Sequence, residues 1–164
     1  MTRYFQEKGL DNIVVVAVDI GISKRARNVA ELLNAPLAII EKRRVSNDDN
    51  SEMMNVIGEV AGKIALTFDD EVTTGGSMMS AVQAVRDQGA EEVYACVTHP
   101  VLSGNASENV IGSPLKELVA ADTVPVSDDK RNGKITVLSV APLLGEAIRR
   151  IHEGQSVGAL FDPN

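Results

Sequence analysis

Three observations predict an α/β domain with three layers, a mainly parallel central sheet flanked by helices. Short apolar, β-branched runs alternate with segments of helical period. The chain has 164 residues, 44% of them apolar, which suits one sizeable core and is short for two. Finally, the apolar run ending at Phe68 passes through small residues into an amphipathic stretch, the strand-turn-helix junction at which open α/β sheets place their ligands. Residues 1–164 therefore read as a single domain.

The first strand is IVVVAV, residues 13–18. A helix follows, because Ala26, Val29, Ala30 and Leu33 recur at i, i+3, i+4, i+7, with Ser23 as N-cap and Asn34 and Pro36 as the stop. LAII, residues 37–40, is the second strand. KRRVSNDDNSE, residues 42–52, mixes both charge signs without periodicity and reads as a mobile loop. A short extra strand at 53–57 and a tight turn precede the third long strand, KIALTF, residues 63–68.

Beyond that strand, Met78, Ala81, Val82 and Val85 repeat the helical spacing, with Gly89 placed to end the helix. VYACVT, residues 93–98, and ITVLSV, residues 135–140, are the remaining strands. After the last, Leu144, Ala147, Ile148 and Ile151 predict a third amphipathic helix with Pro142 near its first position. Leu160 and Phe161 read as an apolar anchor that docks the tail on the body.

Composition excludes several classes. Asp and Glu outnumber Lys and Arg by 23 to 16, for a formal net charge of -7, which opposes broad nucleic-acid binding. Aromatic residues make up 3% with no tryptophan, leaving little surface for stacking bases. Cys96 is the only cysteine and lies in an apolar run, so it reads as a small buried hydrophobe, with no intrachain disulfide and no thiolate zinc cluster. No 18-residue apolar stretch occurs, and the first twelve residues lack the apolar core of a secretory signal. The expectation is a cytoplasmic protein without membrane or nucleic-acid partners.

The chemistry concentrates in FDDEVTTGGS, residues 68–77. Adjacent carboxylates repel, so Asp69 and Asp70 at the end of a buried strand call for cations or hydrogen-bond donors nearby. Thr73, Thr74 and Ser77 supply hydroxyls, while Gly75 and Gly76 let backbone approach a ligand where the next helix exposes unpaired N–H groups. The combination describes a sugar-phosphate cradle; a polar turn that merely bends the chain is the alternative. A Walker A loop is excluded, because Gly62-Lys63 is followed by Ile64 and lacks the spacing.

FDDEVTTGGS resembles the ribose-phosphate loop of type I phosphoribosyltransferases. With NIVVVAVDIGISKRARNVAELLNAPLAIIEKRR before it, and AEEVYACVTHPVLSGNA and KITVLSVAPLLGEAIRRIHEGQSVGALF after it, the chain resembles the C-terminal half of the ribose-phosphate pyrophosphokinase (PRPP synthetase) family over residues 4–161. The resemblance implies a phosphoribosyltransferase-like fold. It implies that Thr73, Thr74, Gly75, Gly76 and Ser77 hold the 5-phosphate of ribose 5-phosphate and that Asp69 and Asp70 contact the ribose hydroxyls. In VDIG, Asp19 would hold Mg2+ and Gly21 would help admit the diphosphate. Lys42 and Arg44 of EKRR would stabilise charge on the transferred diphosphoryl group. The implied partners are ribose 5-phosphate, PRPP and ATP, with a homo-oligomer, or pairing with a homologue that carries the N-terminal half, as the expected assembly.

Three positions depart from the family pattern. Thr73 stands where many members have an acid, Glu71 replaces a usually apolar residue, and Ile22 replaces a second glycine. Two other readings stand beside diphosphoryl transfer: an autonomous phosphoribosyltransferase that consumes PRPP, and a non-catalytic subunit that binds a phosphate ligand. Lys24, Arg25 and Arg27 are divided between solvent and the anion site, and His99 reads as a structural hydrogen-bonding group.

Overall fold

The computed structural model describes residues 1–44, 52–131 and 133–161. Seven strands form one sheet, β1 (Ile13–Ala17), β2 (Leu37–Arg44), β3 (Glu52–Ile57), β4 (Ile64–Val72), β5 (Glu92–Pro100), β6 (Glu117–Ala121) and β7 (Ile135–Leu138). Their order is β3-β2-β1-β4-β5-β6-β7. All neighbours are parallel except β2 and β3. The helices flanking this sheet are α1 (Thr2–Lys8), α2 (Ser23–Leu32), α3 (Gly76–Asp87), α4 (Ala106–Gly112), α5 (Asp128–Arg131) and α6 (Ala141–His152).

The central strands are apolar from end to end because both faces are covered. Val14, Val15, Val16, Leu66, Val93, Val97 and Leu118 are fully buried, which is why these runs are continuous rather than alternating. Thr67 keeps its hydroxyl in the core by donating to the Tyr94 carbonyl at 3.1 Å. Cys96 is buried, and burial pushes its thiol well above the usual range, so it packs as a hydrophobe. Among the described residues, no helix is long and apolar enough to cross a membrane.

Several boundaries differ from the sequence expectation. β4 runs four residues past Phe68, pairing Asp69 with Val97 and Glu71 with His99, so the carboxylates lie within strand rather than after it. β2 continues through Lys42, Arg43 and Arg44, which pair with Met54, Met53 and Glu52; the expected loop over 42–52 is strand at both ends, and residues 45–51 lie outside the described residues. Ser23 is the first helical residue of α2 rather than its cap, which is Ile22. Asn34 ends that helix in left-handed backbone with φ 49°.

The sequence reading passed over β6 and the short helices α1, α4 and α5. ELVAA is short and poor in β-branched residues, yet its last four residues are buried: neighbours, not propensity, make it a strand. α1 is fixed by Phe5, 3% exposed, whose ring meets Tyr94 edge to face at 5.8 Å. Lys8 and Tyr4 secure it further, each donating to the Glu117 carboxylate, at 2.7 and 2.5 Å. The tail does not dock as expected, since Phe161 is 79% exposed.

Candidate functional site

Chain direction diverges between β1 and β4. β1 leads through α2 to β2 on one side, and β4 leads through α3 to β5 on the other. Loops leaving the carboxyl ends of two such strands open a crevice between them. The loop after β1 carries Asp19, Ile20, Gly21 and Ile22; the end of β4 carries Asp69, Asp70 and Glu71, followed by Thr73, Thr74 and Gly75.

The N-cap of α3 is Gly75, whose φ of 82° is left-handed. A Cβ there would meet Ala106 and Val72 at 3.9 Å, an ordinary contact, so backbone conformation rather than crowding calls for glycine. The helix has no side-chain cap, and its first turn closes with the Met79 amide donating to the Gly75 carbonyl at 2.9 Å. The amides before it are therefore available to an outside acceptor. They border a hollow of about 80 Å3 lined by Asp69, Glu71, Val72 and residues 73–78, room enough for an ordered water or a small polar group. Nothing lies within 4 Å of a Cβ built at Gly76. From behind, the amides of Leu102 and Ser103 hold the Val72 and Thr73 carbonyls at 3.0 and 2.9 Å, so those acceptors are occupied on the far side.

The carboxylates differ in environment. Asp69 is half-buried, and burial is the main cause that pushes its pKa above the usual value. The nearby charge of Asp19 adds to that rise, while a hydrogen bond from the Asp70 amide and the charge of Lys42 oppose it. Asp19 accepts the Ile22 amide on Oδ1 at 3.0 Å. A Cβ on Gly21 would stand 3.0 Å from that same oxygen, so the glycine leaves room for the turn. Asp70 is exposed and paired with Arg25 of α2.

Lys42 crosses from β2 and donates to the Ser77 hydroxyl at 2.7 Å, bringing a cation to the hollow. Asp19, Gly21, Lys42, Asp69, Asp70 and residues 73–77 thus gather at one edge of the sheet. The side chain of Arg44 lies outside the described residues. Glu71 lines the hollow as a third carboxylate. Ile22 is buried, so the residue in place of a second glycine turns into the core. His99 Nδ1 is 3.0 Å from Thr123 Oγ1, a structural hydrogen bond. Sequence reasoning did not commit to Arg25; the available signal was its position in the first turn after Asp19.

A crevice at the carboxyl edge of a parallel sheet, with an uncapped glycine-led helix start and flanking carboxylates, defines an α/β domain whose open edge presents backbone N–H donors beside carboxylate acceptors. The phosphoribosyl synthetase-associated domain model matches residues 47–162, more than half of the chain, and the chain belongs to that family. It is 51% identical over 162 residues to a ribose-phosphate pyrophosphokinase of Oceanobacillus iheyensis, covering 99% of this chain and 51% of the relative. A protein of the same description from Caldanaerobacter subterraneus subsp. tengcongensis is 52% identical over 162 residues, with 98% and 51% covered. The crystal structure of phosphoribosylpyrophosphate synthetase from Mycobacterium smegmatis superposes with a TM-score of 0.85 at 37% identity, covering 93% of this chain and 49% of that one. The chain spans about half the length of the curated relatives it matches.

Proposed function

We propose that this domain supplies the ribose 5-phosphate and diphosphate sites for transfer of a diphosphoryl group from ATP to ribose 5-phosphate, giving PRPP and AMP. It corresponds in this reading to the C-terminal half of a ribose-phosphate pyrophosphokinase, and adenine is recognised by another segment or chain. The observation that carries the proposal is the convergence of Lys42, Asp69 and the uncapped start of α3 on one hollow. A monoester phosphate there accepts from the backbone amides and from Thr73, Thr74 and Ser77, with Gly75 and Gly76 allowing close approach. The pentose then lies over Asp69 and Asp70, which accept its hydroxyls.

In the reaction the 1-hydroxyl oxygen attacks the β-phosphorus of ATP. A bond forms between them, the bond from that phosphorus to the oxygen shared with the α-phosphate breaks, AMP departs with the oxygen, and the hydroxyl proton passes to solvent. Such a transfer requires positioning and cationic charge more than covalent chemistry. Lys42 and Arg44 supply the charge in this reading, and Gly21 leaves backbone free beside the diphosphate.

Mg2+ fits the donors in a limited way. Asp19 and Asp69 are close enough for their charges to interact, but among the described residues no group of three or more potential ligands surrounds a metal position. Magnesium commonly binds through one or two carboxylates together with phosphate oxygens and water, so Asp19 and Asp69 would hold it only with the ligand present. Its chemistry there would be to neutralise charge on the diphosphoryl group.

The direct test is AMP release from ribose 5-phosphate and Mg-ATP, with the chain alone and with an N-terminal half supplied separately. AMP formation in either case, lost on Asp70→Asn, is the expected result. No AMP with both halves present would overturn the kinase reading, and consumption of PRPP with an acceptor and no ATP would assign a phosphoribosyltransferase instead.

A further inference from the structure

Two cations of this crevice are already engaged with groups that the ligand would need. Lys42 holds Ser77 at 2.7 Å, and Arg25 Nη1 is paired with Asp70 Oδ1. The second pair spans the two halves of the site. Arg25 is the third residue of α2, directly after the Asp19–Ile22 turn, while Asp70 stands on β4, the strand hydrogen-bonded to β1. Both side chains are largely exposed, at 70% and 58%.

We propose that Arg25 is a positioning residue that couples the diphosphate end of the crevice to the pentose end. The inference rests on the reading of the site given above. While no anion lies beside α2, Arg25 keeps one Asp70 oxygen occupied, and a pentose hydroxyl that uses that oxygen competes with it. A diphosphate arriving at the start of α2 offers the guanidinium a better partner, because its planar fork matches two phosphate oxygens at once, whereas an exposed one-point pair with a carboxylate is weak. Arg25 turns to the anion and Asp70 is released to the sugar. By linkage, the pentose then strengthens diphosphate binding by the same factor.

Inorganic phosphate and ribose 5-phosphate separate this coupling from the cradle itself. Both occupy the hollow, and only the second needs Asp70, so the ratio of their affinities isolates the sugar contribution; competition by diphosphate at the hollow weakens both alike and cancels. Titration calorimetry on the whole 164-residue chain, with and without Mg-diphosphate, should show this ratio rising about two- to fivefold when diphosphate is present, the range an exposed ion pair supports. In Arg25→Gln the ratio should already be high without diphosphate and should not respond to it; Arg25→Lys, which retains a cation, should respond.

A ratio in the parent chain that stays level or falls with diphosphate, or one that still rises in Arg25→Gln, would overturn the coupling. If neither phosphate nor ribose 5-phosphate binds, the cradle reading falls and the coupling with it. Binding of both with an unresponsive ratio removes the coupling alone.

Discussion

Helices α3 and α6 carry the same apolar spacing and have opposite fates. α3 buries Met78, Ala81, Val82 and Val85. α6 has no buried residue and exposes Leu143, Leu144, Ile148 and Ile151. Their starts are reversed as well. Neither helix is capped by the side chain of its own N-cap residue, but at α6 Asp122 accepts the Val140 amide at 2.8 Å and Ser139 Oγ accepts the Ala141 amide at 3.2 Å. One helix has a closed face and an open end; the other has an open face and a closed end. Periodicity defines which side of a helix is apolar, but the sheet decides whether anything covers it. α3 leaves β4, which has strands on both sides, while α6 leaves the edge strand β7.

The face comparison predicts the largest effect. Val82 is 0% exposed, so Val82→Asp places an unpaired charge in the core, a loss of about 3–5 kcal/mol, and the variant should show no cooperative urea transition by far-ultraviolet circular dichroism. Ile148 is 68% exposed, and Ile148→Asp should keep the parent midpoint within about 0.5 kcal/mol. Comparable losses at both positions would mean that α6 is covered in solution, and the contrast would break.

Next come the helix starts. Gly75→Ala forces a side chain into left-handed backbone and should cost about 1–2 kcal/mol, seen as a lower urea midpoint. Gly76→Val, built where a Cβ meets nothing within 4 Å, should leave that midpoint within about 0.5 kcal/mol yet abolish phosphate binding by calorimetry, because its side chain takes up the hollow. Retained binding in Gly76→Val would move the anion away from α3.

The same contrast marks how far the sequence could be read. Val14 to Val16, Leu66 and Val93 disclosed their strands because a parallel central strand is apolar at every position. Gly75 disclosed the turn into α3, because glycine at a helix start suits left-handed backbone. What stayed hidden depended on distant partners. Met53, Met54 and Glu52 of β3 turn Lys42, Arg43 and Arg44 from apparent loop into strand, and Val97 and His99 of β5 do the same for Asp69 and Glu71. Arg25 was visible as a charge, but its partner lies 45 positions away, a distance no local pattern spans. The exposure of Ile148 and Phe161 was hidden for the converse reason, since an apolar face advertises burial whether or not a surface is there to receive it.

The smallest effects sharpen the helix-start comparison through two carboxylates. Asp122 is held below its ordinary pKa, first by the Ser139 hydroxyl and then by the Val140 amide. Asp69 is raised, chiefly by burial. A depressed folded pKa gives stability that is present above the unfolded value and is lost as pH falls through the folded one; a raised folded pKa in an acid is a penalty above the folded value that is relieved as pH falls to the unfolded one. Asp122→Asn should therefore lower the urea midpoint at pH 7, and Asp69→Asn should raise it. The Asp122 difference should shrink as pH falls below about 4, where free aspartate takes up its proton, whereas the Asp69 difference should already shrink as pH falls towards about 4 from above. Asp69→Asn should at the same time weaken ribose 5-phosphate binding, because the charge that costs stability in the free chain is the one proposed to accept the sugar hydroxyls. Shifts of the same sign in the two variants would show that the open end of α3 carries no stored electrostatic cost, and Asp69 would then be an ordinary turn residue.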